Sequence, residues 1–342
     1  MTSRNNSKYT WNLEKLCKIY TDLENKIRTP EEEKELTLLG TLIGVERENS
    51  GLIFNDNTSF STAFHEEFVS LFNEYYQYLP YIFEYYDLAD LDIEKQVFTF
   101  LPYTEDEILG SVHDFYLGLD KDWFKYFNKI YKDRKDNISF ETIRSFSAYF
   151  PSSDFWLANV ARSNTIEDFV DCTHEYAHGI ADQIAPGIKT YSAENILIEL
   201  FPIVCQLLFL HKNNISGLQM EITKYINNYF KVMNDFAEEV RVKYNIAESF
   251  CSIKNARCLS RLMKKTWGIN MRKEELEALY ESPIELNINY IFPFIIALEL
   301  IDQFNNDEDL FKYNMNQILR STDEPLVTLK KLNINPNATF KH

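Results

Sequence analysis

Glycine and proline are scarce in this chain, which has nine glycines and ten prolines among 342 residues. Both residues mark turns and interrupt regular elements, so few tight loops are expected. Between the breaks, apolar residues recur mostly at helical spacing. We therefore predict a mainly α fold, and a content of 45% hydrophobic and 15% aromatic residues is enough for a large core.

Cysteine is also scarce, and its arrangement argues against two classes of protein. The five cysteines are odd in number, scattered and without a C-x-x-C pair. A disulfide framework uses paired cysteines, and a structural zinc ribbon uses closely spaced ones. We predict reduced, mostly packed thiols at Cys17, Cys172, Cys205, Cys251 and Cys258.

Long apolar runs are missing as well. No stretch reaches the roughly 18 uninterrupted apolar residues of a membrane span, and the first residues lack the apolar core of a signal peptide. The sequence therefore predicts a cytoplasmic protein without a membrane partner.

Positive charge falls well short of negative charge. The chain has 35 Lys and Arg against 52 Asp and Glu, a net charge of −17. Such a surface repels nucleic acid and anionic membranes. It favours neutral or cationic peptides as partners.

Five or six amphipathic helices are predicted before residue 134, and their breaks fall mainly at prolines and a glycine. Longer helices are expected after the middle of the chain. The predicted ranges are 11–28, 31–48, 62–78, 81–100, 105–119 and 121–132, followed by 215–244 and 283–303.

The most informative stretch is residues 174–178, which read H-E-Y-A-H. On a helix, His174 and His178 project from one face and can bind one metal ion. Glu175 is then placed to act as a base toward a metal-bound water. The alternative is a helix whose two histidines are surface or half-buried residues satisfied by nearby carboxylates.

A helix over residues 165–182 is predicted around this motif. Thr165 and Asp168 form a helix-start signal, and apolar residues then repeat at helical spacing. The histidines border the apolar stripe, next to an acidic face that includes Asp171 and Asp182.

A third ligand is predicted at Glu199, the one charged residue in the apolar run 196–210. Burial of a lone carboxylate is costly unless it is paired or binds a metal. Two histidines and one glutamate, with a fourth position left for water, form a catalytic zinc arrangement. Glu194 is the second choice of ligand, and the alternative for Glu199 is an ion pair with Lys or Arg.

Residues 165–178 resemble the T-L-D-D-V-x-T-L-x-H-E-x-G-H segment of the M3 metallopeptidases, the thimet oligopeptidase and oligoendopeptidase F group. Tyr191-Ser192 and then Glu199 resemble the stretch that carries this family's third zinc ligand. The resemblance covers residues 149–210. The chain departs from the family at Ala177, at Ala181 and at Gln206, where the family has glycine, histidine and glutamate.

The resemblance also implies a substrate site. Residues 154–160 look like the extended segment that in the family forms a sheet edge beside the metal. We expect a peptide to add as a strand along that edge. The residues are Phe155, Trp156, Leu157, Ala158, Asn159 and Val160.

The family's late segment, rich in tyrosine and histidine, is best matched by residues 289–299. There Asn, Ile, Ala and Glu stand at the expected His and Tyr positions. Tyr290 is therefore the predicted oxyanion donor, with Tyr191 second. The competing interpretation is that Tyr290 is a core residue of an apolar helix.

Together these features resemble a zincin-type helical metallopeptidase, mainly α, with a small β edge segment beside the active-site helix. We expect a single domain, one compact unit with an N-terminal helical lobe at 1–140 and a catalytic lobe at 141–342. The expected activity is zinc-dependent hydrolysis of short peptides with Glu175 as the base. The alternative is a catalytically degenerate zinc-binding relative that acts as a peptide-binding or interaction protein; an intact Glu175 favours the enzyme.

Overall fold

Helices dominate the computed structural model, which describes residues 9–44, 103–141, 144–185, 197–213, 217–219, 221–222, 225, 288–323 and 325–334. These residues fall into two compact units, the first holding those up to 185 and the second those from 197. The prediction of a mainly α fold with a small sheet is confirmed.

The first unit contains six helices and one sheet within the described residues. The helices are α1 (Leu13–Glu24), α2 (Pro30–Leu42), α3 (Glu105–Leu117), α4 (Lys121–Tyr131), α5 (Arg134–Asn137) and α6 (Glu167–Ile184). The strands are β1 (Ile138–Glu141), β2 (Phe146–Phe150) and β3 (Phe155–Ala161).

Side-chain caps determine where several of these helices begin. Thr29 and Glu32 form a capping box at the start of α2, and Thr104 and Glu107 form another at α3. Each box satisfies backbone N–H groups that have no partner inside the helix. At α4, the Asp120 carboxylate accepts two backbone N–H groups at 2.8 and 3.0 Å.

The sheet has the order β1-β3-β2, so β3 is its central strand. β3 runs parallel to β1 and antiparallel to β2, and Ala158 pairs with Ile138 on one side and with Ser147 on the other. One face of the sheet packs against α1 and α2 through a cluster that includes Leu16, Leu39 and Leu157. α6 covers the other face and also contacts α3 and α4.

The structure corrects the predicted substrate edge at Ala158 and Asn159, whereas Phe155, Trp156, Leu157 and Val160 each pair with a strand on one side. All six residues are buried, and Ala158 and Asn159 pair with strands on both sides. The Asn159 side chain is also engaged, since its Oδ1 accepts from the Ser139 hydroxyl at 2.7 Å. Ala158 and Asn159, which are flanked on both sides, therefore cannot form the open edge of the sheet.

The second unit contains α7 (Leu200–Asn213), α8 (Ile288–Asn306), α9 (Glu308–Arg320) and α10 (Pro325–Lys331). α8 packs against α7 and α9. A buried polar group lies in this unit, where the Gln206 amide donates to the Tyr225 hydroxyl at 2.7 Å and to Glu221 at 3.3 Å.

The lobes at 1–140 and 141–342 stay a prediction, and the two compact units divide the described residues elsewhere along the chain. A boundary after residue 140 would cut β1, because this strand extends to Glu141. The first unit instead joins helices from the N-terminal region to the sheet and α6. No helix among the described residues is both long enough and apolar enough to cross a membrane.

Candidate metal centre

Helix α6 carries the H-E-x-x-H motif, and a buried ion pair fixes its first turn. Asp168 is fully buried, and its carboxylate lies 3.2 Å from the Arg162 guanidinium. It also accepts the backbone N–H groups of Ser163 and Asn164 at 2.7 and 3.1 Å. The end of β3 and the start of α6 are thus tied through one carboxylate.

The two histidines of the motif face each other. The Nε2 atoms of His174 and His178 are 3.1 Å apart. In a tetrahedral site with Zn–N bonds of about 2.0 to 2.1 Å, two nitrogen ligands lie about 3.3 to 3.4 Å apart. The pair therefore fits two ligands of one ion, and it equally fits an N–H···N hydrogen bond between two imidazoles.

Glu199 completes the group. It precedes α7, its backbone carbonyl accepts the Ile203 N–H at 2.9 Å, and its side chain is 9% exposed. The ligand atoms of His174, His178 and Glu199 all lie within 4.8 Å of one another. Two imidazoles and a carboxylate are a donor set that binds Zn²⁺, so this group could hold a metal ion.

Glu175 is buried beside the histidines, with 5% of its surface exposed. Burial raises the pKa of its carboxyl, while charge on His174 and His178 and a hydrogen bond from Ser147 lower it. The net shift is upward. A carboxylate whose pKa moves toward the working pH is better suited to accept a proton and return it.

Asp182 continues the acidic side of α6 past the motif. Burial raises the pKa of Asp182 to about 6, against the opposing charge of His178. Because burial disfavours the charged form, this carboxyl is partly protonated in mildly acidic solution.

Three predicted residues fall where the structure says little or nothing. Tyr290 lies in α8, and its side chain is outside the described residues. Tyr191 and Glu194 also lie outside them. The roles predicted for Tyr290 and Tyr191 as oxyanion donors, and for Glu194 as a second choice of ligand, stay predictions.

Ser147 is the contact that the sequence did not indicate. It lies on β2, and its hydroxyl is one of the groups that lower the pKa of Glu175. The sequence feature that could have indicated it is the pair Ser145 and Ser147, which are two residues apart at the start of β2 and so lie on the same side of the strand.

No family model and no curated protein matches the sequence, but solved structures share its fold. One is a candidate peptidase from Chlamydophila abortus, with 13% identity and a TM-score of 0.53 over 95% of this chain and 59% of the other. A candidate oligoendopeptidase F from Bacillus anthracis has 13% identity and a TM-score of 0.52 over 94% and 61%. PZ peptidase A with an inhibitor has 10% identity and a TM-score of 0.51 over 94% and 62%. This chain therefore has the fold of these proteins and spans about three fifths of their length.

Proposed function

We propose that this protein is a zinc-dependent peptidase of the M3 type that hydrolyses short peptides. The observation that carries the proposal is the pair of imidazole Nε2 atoms 3.1 Å apart, with Glu199 within 4.8 Å and Glu175 buried beside them. The peptidases that share the fold support it. The resemblance of residues 165–178 to the M3 segment supports it further.

In this proposal His174, His178 and Glu199 hold the ion. Three protein ligands are the number found in catalytic zinc sites, which keep one position open, whereas structural sites are closed and usually rich in cysteine. Bound zinc would lower the pKa of a water ligand and polarise the scissile carbonyl.

Glu175 moves the protons of the reaction. Its carboxylate takes a proton from the attacking water and then delivers it to the leaving amine nitrogen. The buried position keeps solvent from competing for that proton, and the raised pKa makes the second transfer easier.

We place the peptide along β2 rather than β3. β2 is an outer strand of the sheet, and within the described part of the chain no strand pairs with its other edge. Ser145, just before this strand, hydrogen-bonds Asp171 of α6, and β2 packs against α6, so the backbone of β2 runs beside the helix that carries the proposed base. A peptide added there would hydrogen-bond through its main chain, independently of its side chains.

The metal site is tested by metal analysis of His178→Ala after equilibration with zinc and dialysis. We expect the parent to hold one equivalent and the variant to lose it, because one of two paired ligands is gone. His113→Ala is the matched control, since His113 packs against Phe124 and Tyr131 in the same unit and should not alter zinc content. A full equivalent of zinc in His178→Ala would assign the histidine pair to a metal-free hydrogen bond.

The peptidase activity is tested separately, by cleavage of a mixed peptide library with and without a chelator.

The second candidate is a zinc-binding relative that binds peptides without cleaving them. Gln206, which stands where the M3 family has a glutamate, is held in a buried network with Glu221 and Tyr225. A full equivalent of zinc without cleavage of any library peptide, combined with measurable peptide binding, would favour this function over the enzyme.

A further inference from the structure

A hydrogen bond between two polar side chains joins the start of β2 to α6. The Ser145 hydroxyl, just before the strand, donates to Asp171 Oδ2 at 2.5 Å. The same hydroxyl oxygen accepts the N–H of Ala161, at the end of β3, at 2.9 Å. One serine oxygen therefore connects the outer strand of the sheet, its central strand and the helix.

A buried asparagine holds the backbone beside Ser145 in place. The Asn159 side chain is fully buried in β3, and its amide donates to the Arg144 carbonyl at 3.0 Å. Its Oδ1 accepts the Ser139 hydroxyl at 2.7 Å and the Glu141 N–H at 3.2 Å. These bonds satisfy a buried amide that would be costly to leave without partners. They also fix the chain that leads into β2, so Ser145 is held in a set position.

Asp171 lies on the face of α6 that carries His174, Glu175 and His178, which we call the metal face. At 100° per residue, Asp171 and His178 lie within about 20° of each other around the helix axis. His174 and Glu175 follow Asp171 by about 4.5 and 6.0 Å along that axis. The bond from Ser145 therefore acts on the metal face itself, about one turn before the proposed base.

We propose that Ser145 is a positioning residue that, through Asp171, holds the metal face of α6 at a fixed place against β2. The inference rests on the proposed function, in which the peptide lies along β2 and Glu175 is the base. In that arrangement, the distance from β2 to the metal face sets the distance from the scissile bond to the reacting groups. An error of about 1 Å in such a distance can cost about a hundredfold in rate.

Other contacts already hold α6 on the sheet. The Tyr176 ring packs against Trp156 with ring centroids 4.9 Å apart, and the Asp168 carboxylate lies 3.2 Å from the Arg162 guanidinium. Ser145 is half-buried, and one hydrogen bond at such a position adds little to these contacts. Loss of its hydroxyl should therefore shift the metal face without unfolding the first unit, and should affect turnover more than stability.

The first experiment measures peptide cleavage by the zinc-loaded full chain in Ser145→Ala. We expect one equivalent of zinc, a KM within about twofold of the parent and a loss of about tenfold in kcat, the scale of one hydrogen bond to a charged group. Ser145→Thr keeps the hydroxyl, so its kcat should return to within about threefold of the parent.

A double-mutant cycle with Asp171→Ala shows whether Ser145 acts through Asp171. Once the acceptor is gone, Ser145→Ala should cause no further loss of kcat, because both changes break the same bond. If the two losses multiply instead, Ser145 does not act through Asp171 and the inference is wrong.

Ser152→Ala is the matched control. Ser152 donates the same kind of hydroxyl–carboxylate hydrogen bond at 2.5 Å, but its acceptor is Glu35 of α2, which packs on the other face of the sheet. The control should keep its kcat. If Ser152→Ala loses as much turnover as Ser145→Ala, the effect is a general one of the first unit and the positioning role is refuted.

The second experiment uses metal-free protein and does not depend on activity. The ¹H–¹⁵N NMR signals of the α6 amides are recorded in the parent and in Ser145→Ala. We expect the signals of Asp171, His174 and Glu175 to move, to move back toward the parent in Ser145→Thr and to stay in place in Ser152→Ala. The Ala161 amide should also exchange faster in Ser145→Ala, because it loses its acceptor.

The two experiments separate failure of the inference from failure of the proposed function. Signals of α6 that stay in place in Ser145→Ala overturn the inference, whatever the activity of the parent. Signals that move in a protein that cleaves no peptide would refute the proposed function, and would leave the link between Ser145 and the metal face established.

Discussion

At the scale of single residues, the environment of Glu175 decides its chemistry. The carboxylate is buried, and burial raises its pKa against the opposing charges of His174 and His178. Glu175→Gln keeps the shape and one acceptor but cannot take up a proton. We expect the variant to hold one equivalent of zinc, to keep its melting temperature within a few degrees and to lose at least about a hundredfold in peptide hydrolysis.

The control for this variant is Glu167→Gln, an exposed glutamate in the first turn of the same helix. Its activity should match that of the parent. Full activity in Glu175→Gln, measured on the same peptides, would remove Glu175 from the mechanism.

Glu35 gives a prediction about pH and stability. Burial raises the pKa of Glu35, and hydrogen bonds from Ser152 oppose this shift. Because the folded pKa lies above the unfolded one, the stability linked to this group is present below the unfolded pKa, near 4.3. It is lost as the pH rises through the folded pKa. Glu35→Gln should therefore gain free energy of unfolding relative to the parent as the pH goes from about 4 to 7.

The matched control for Glu35→Gln is Glu32→Gln, on the same helix. The hydrogen bond from Lys26 and the capping bond from Thr29 lower the pKa of Glu32. The sign is then reversed, and Glu32→Gln should lose stability relative to the parent over the same pH range, as followed by urea unfolding. Parallel pH profiles for the two variants would contradict both assignments.

Residue types and spacing predicted the histidine pair, because an i,i+4 pair on a helix is a local relation. The contact between Ser145 and Asp171 could not be predicted in this way. It depends on the alignment of β2 with α6, which follows from the pairing of β2 with β3. The buried polar role of Asn159 was missed for the same reason.

At the scale of elements, Gly179 determines how closely α6 approaches the sheet. A Cβ at this position would lie 2.7 Å from Ile130 Cδ1 and 2.7 Å from Trp156 Nε1. We expect Gly179→Ala to be destabilising by about 1 to 3 kcal/mol, since either the helix or the indole must move. Urea unfolding measures the loss.

Gly110 provides the opposite case. It lies inside α3, and a Cβ there meets no atom within 4 Å apart from its chain neighbours and the backbone of its own helix. Gly110→Ala should be stabilising by up to about 1 kcal/mol through helix propensity alone. If both alanines are tolerated equally, α6 does not pack against Trp156 as closely as these distances require.

The helices were predictable where local chemistry defines them. Two helices were predicted closely. The predicted range 105–119 corresponds to Glu105–Leu117 with Thr104 as N-cap, and 121–132 corresponds to Lys121–Tyr131 with Asp120 as N-cap. The start of α6 was predicted less well, because Asp168 reaches back to Ser163 and Arg162 and the helix begins at Glu167 instead. The predicted helices at 62–78 and 81–100 lie outside the described residues.

The order of the strands in the sheet could not be predicted from the sequence. Residues 155–160 read as an extended segment, and this is confirmed. Which strand is central depends on pairing with residues 138–141 and 146–150, and no local pattern encodes that choice. The near-continuous apolar run was nevertheless a sign of a strand buried on both faces.

At the scale of the whole molecule, the chain keeps the fold of longer proteins, of which it spans about three fifths. It does so at identities of 10% to 13%. Conservation of the fold at such identities reflects the pattern of buried positions rather than particular side chains. Function therefore has to be argued from the group of His174, His178, Glu199 and Glu175.

Net charge gives a prediction for the molecule as a whole. A chain with a net charge of −17 sets up a negative field that attracts cationic peptides over long distances. We expect a peptide flanked by lysines to be cleaved with a higher kcat/KM than the same peptide flanked by glutamates. The ratio of the two values should fall toward one as salt rises from about 20 mM to 500 mM, because the screening length shrinks from about 20 Å to a few ångströms.

Salt dependence separates this long-range field from contacts inside a binding site. Exposed charges that act at a distance are screened, whereas a buried pair in contact with the peptide is screened much less. A lysine preference that stays constant across the salt series would therefore place the selectivity in a local contact near the cleaved bond. If the kcat/KM ratio of the two peptides falls as salt rises, the attraction of cationic peptides comes from the charge of the whole surface. The site itself would then bind mainly the peptide backbone.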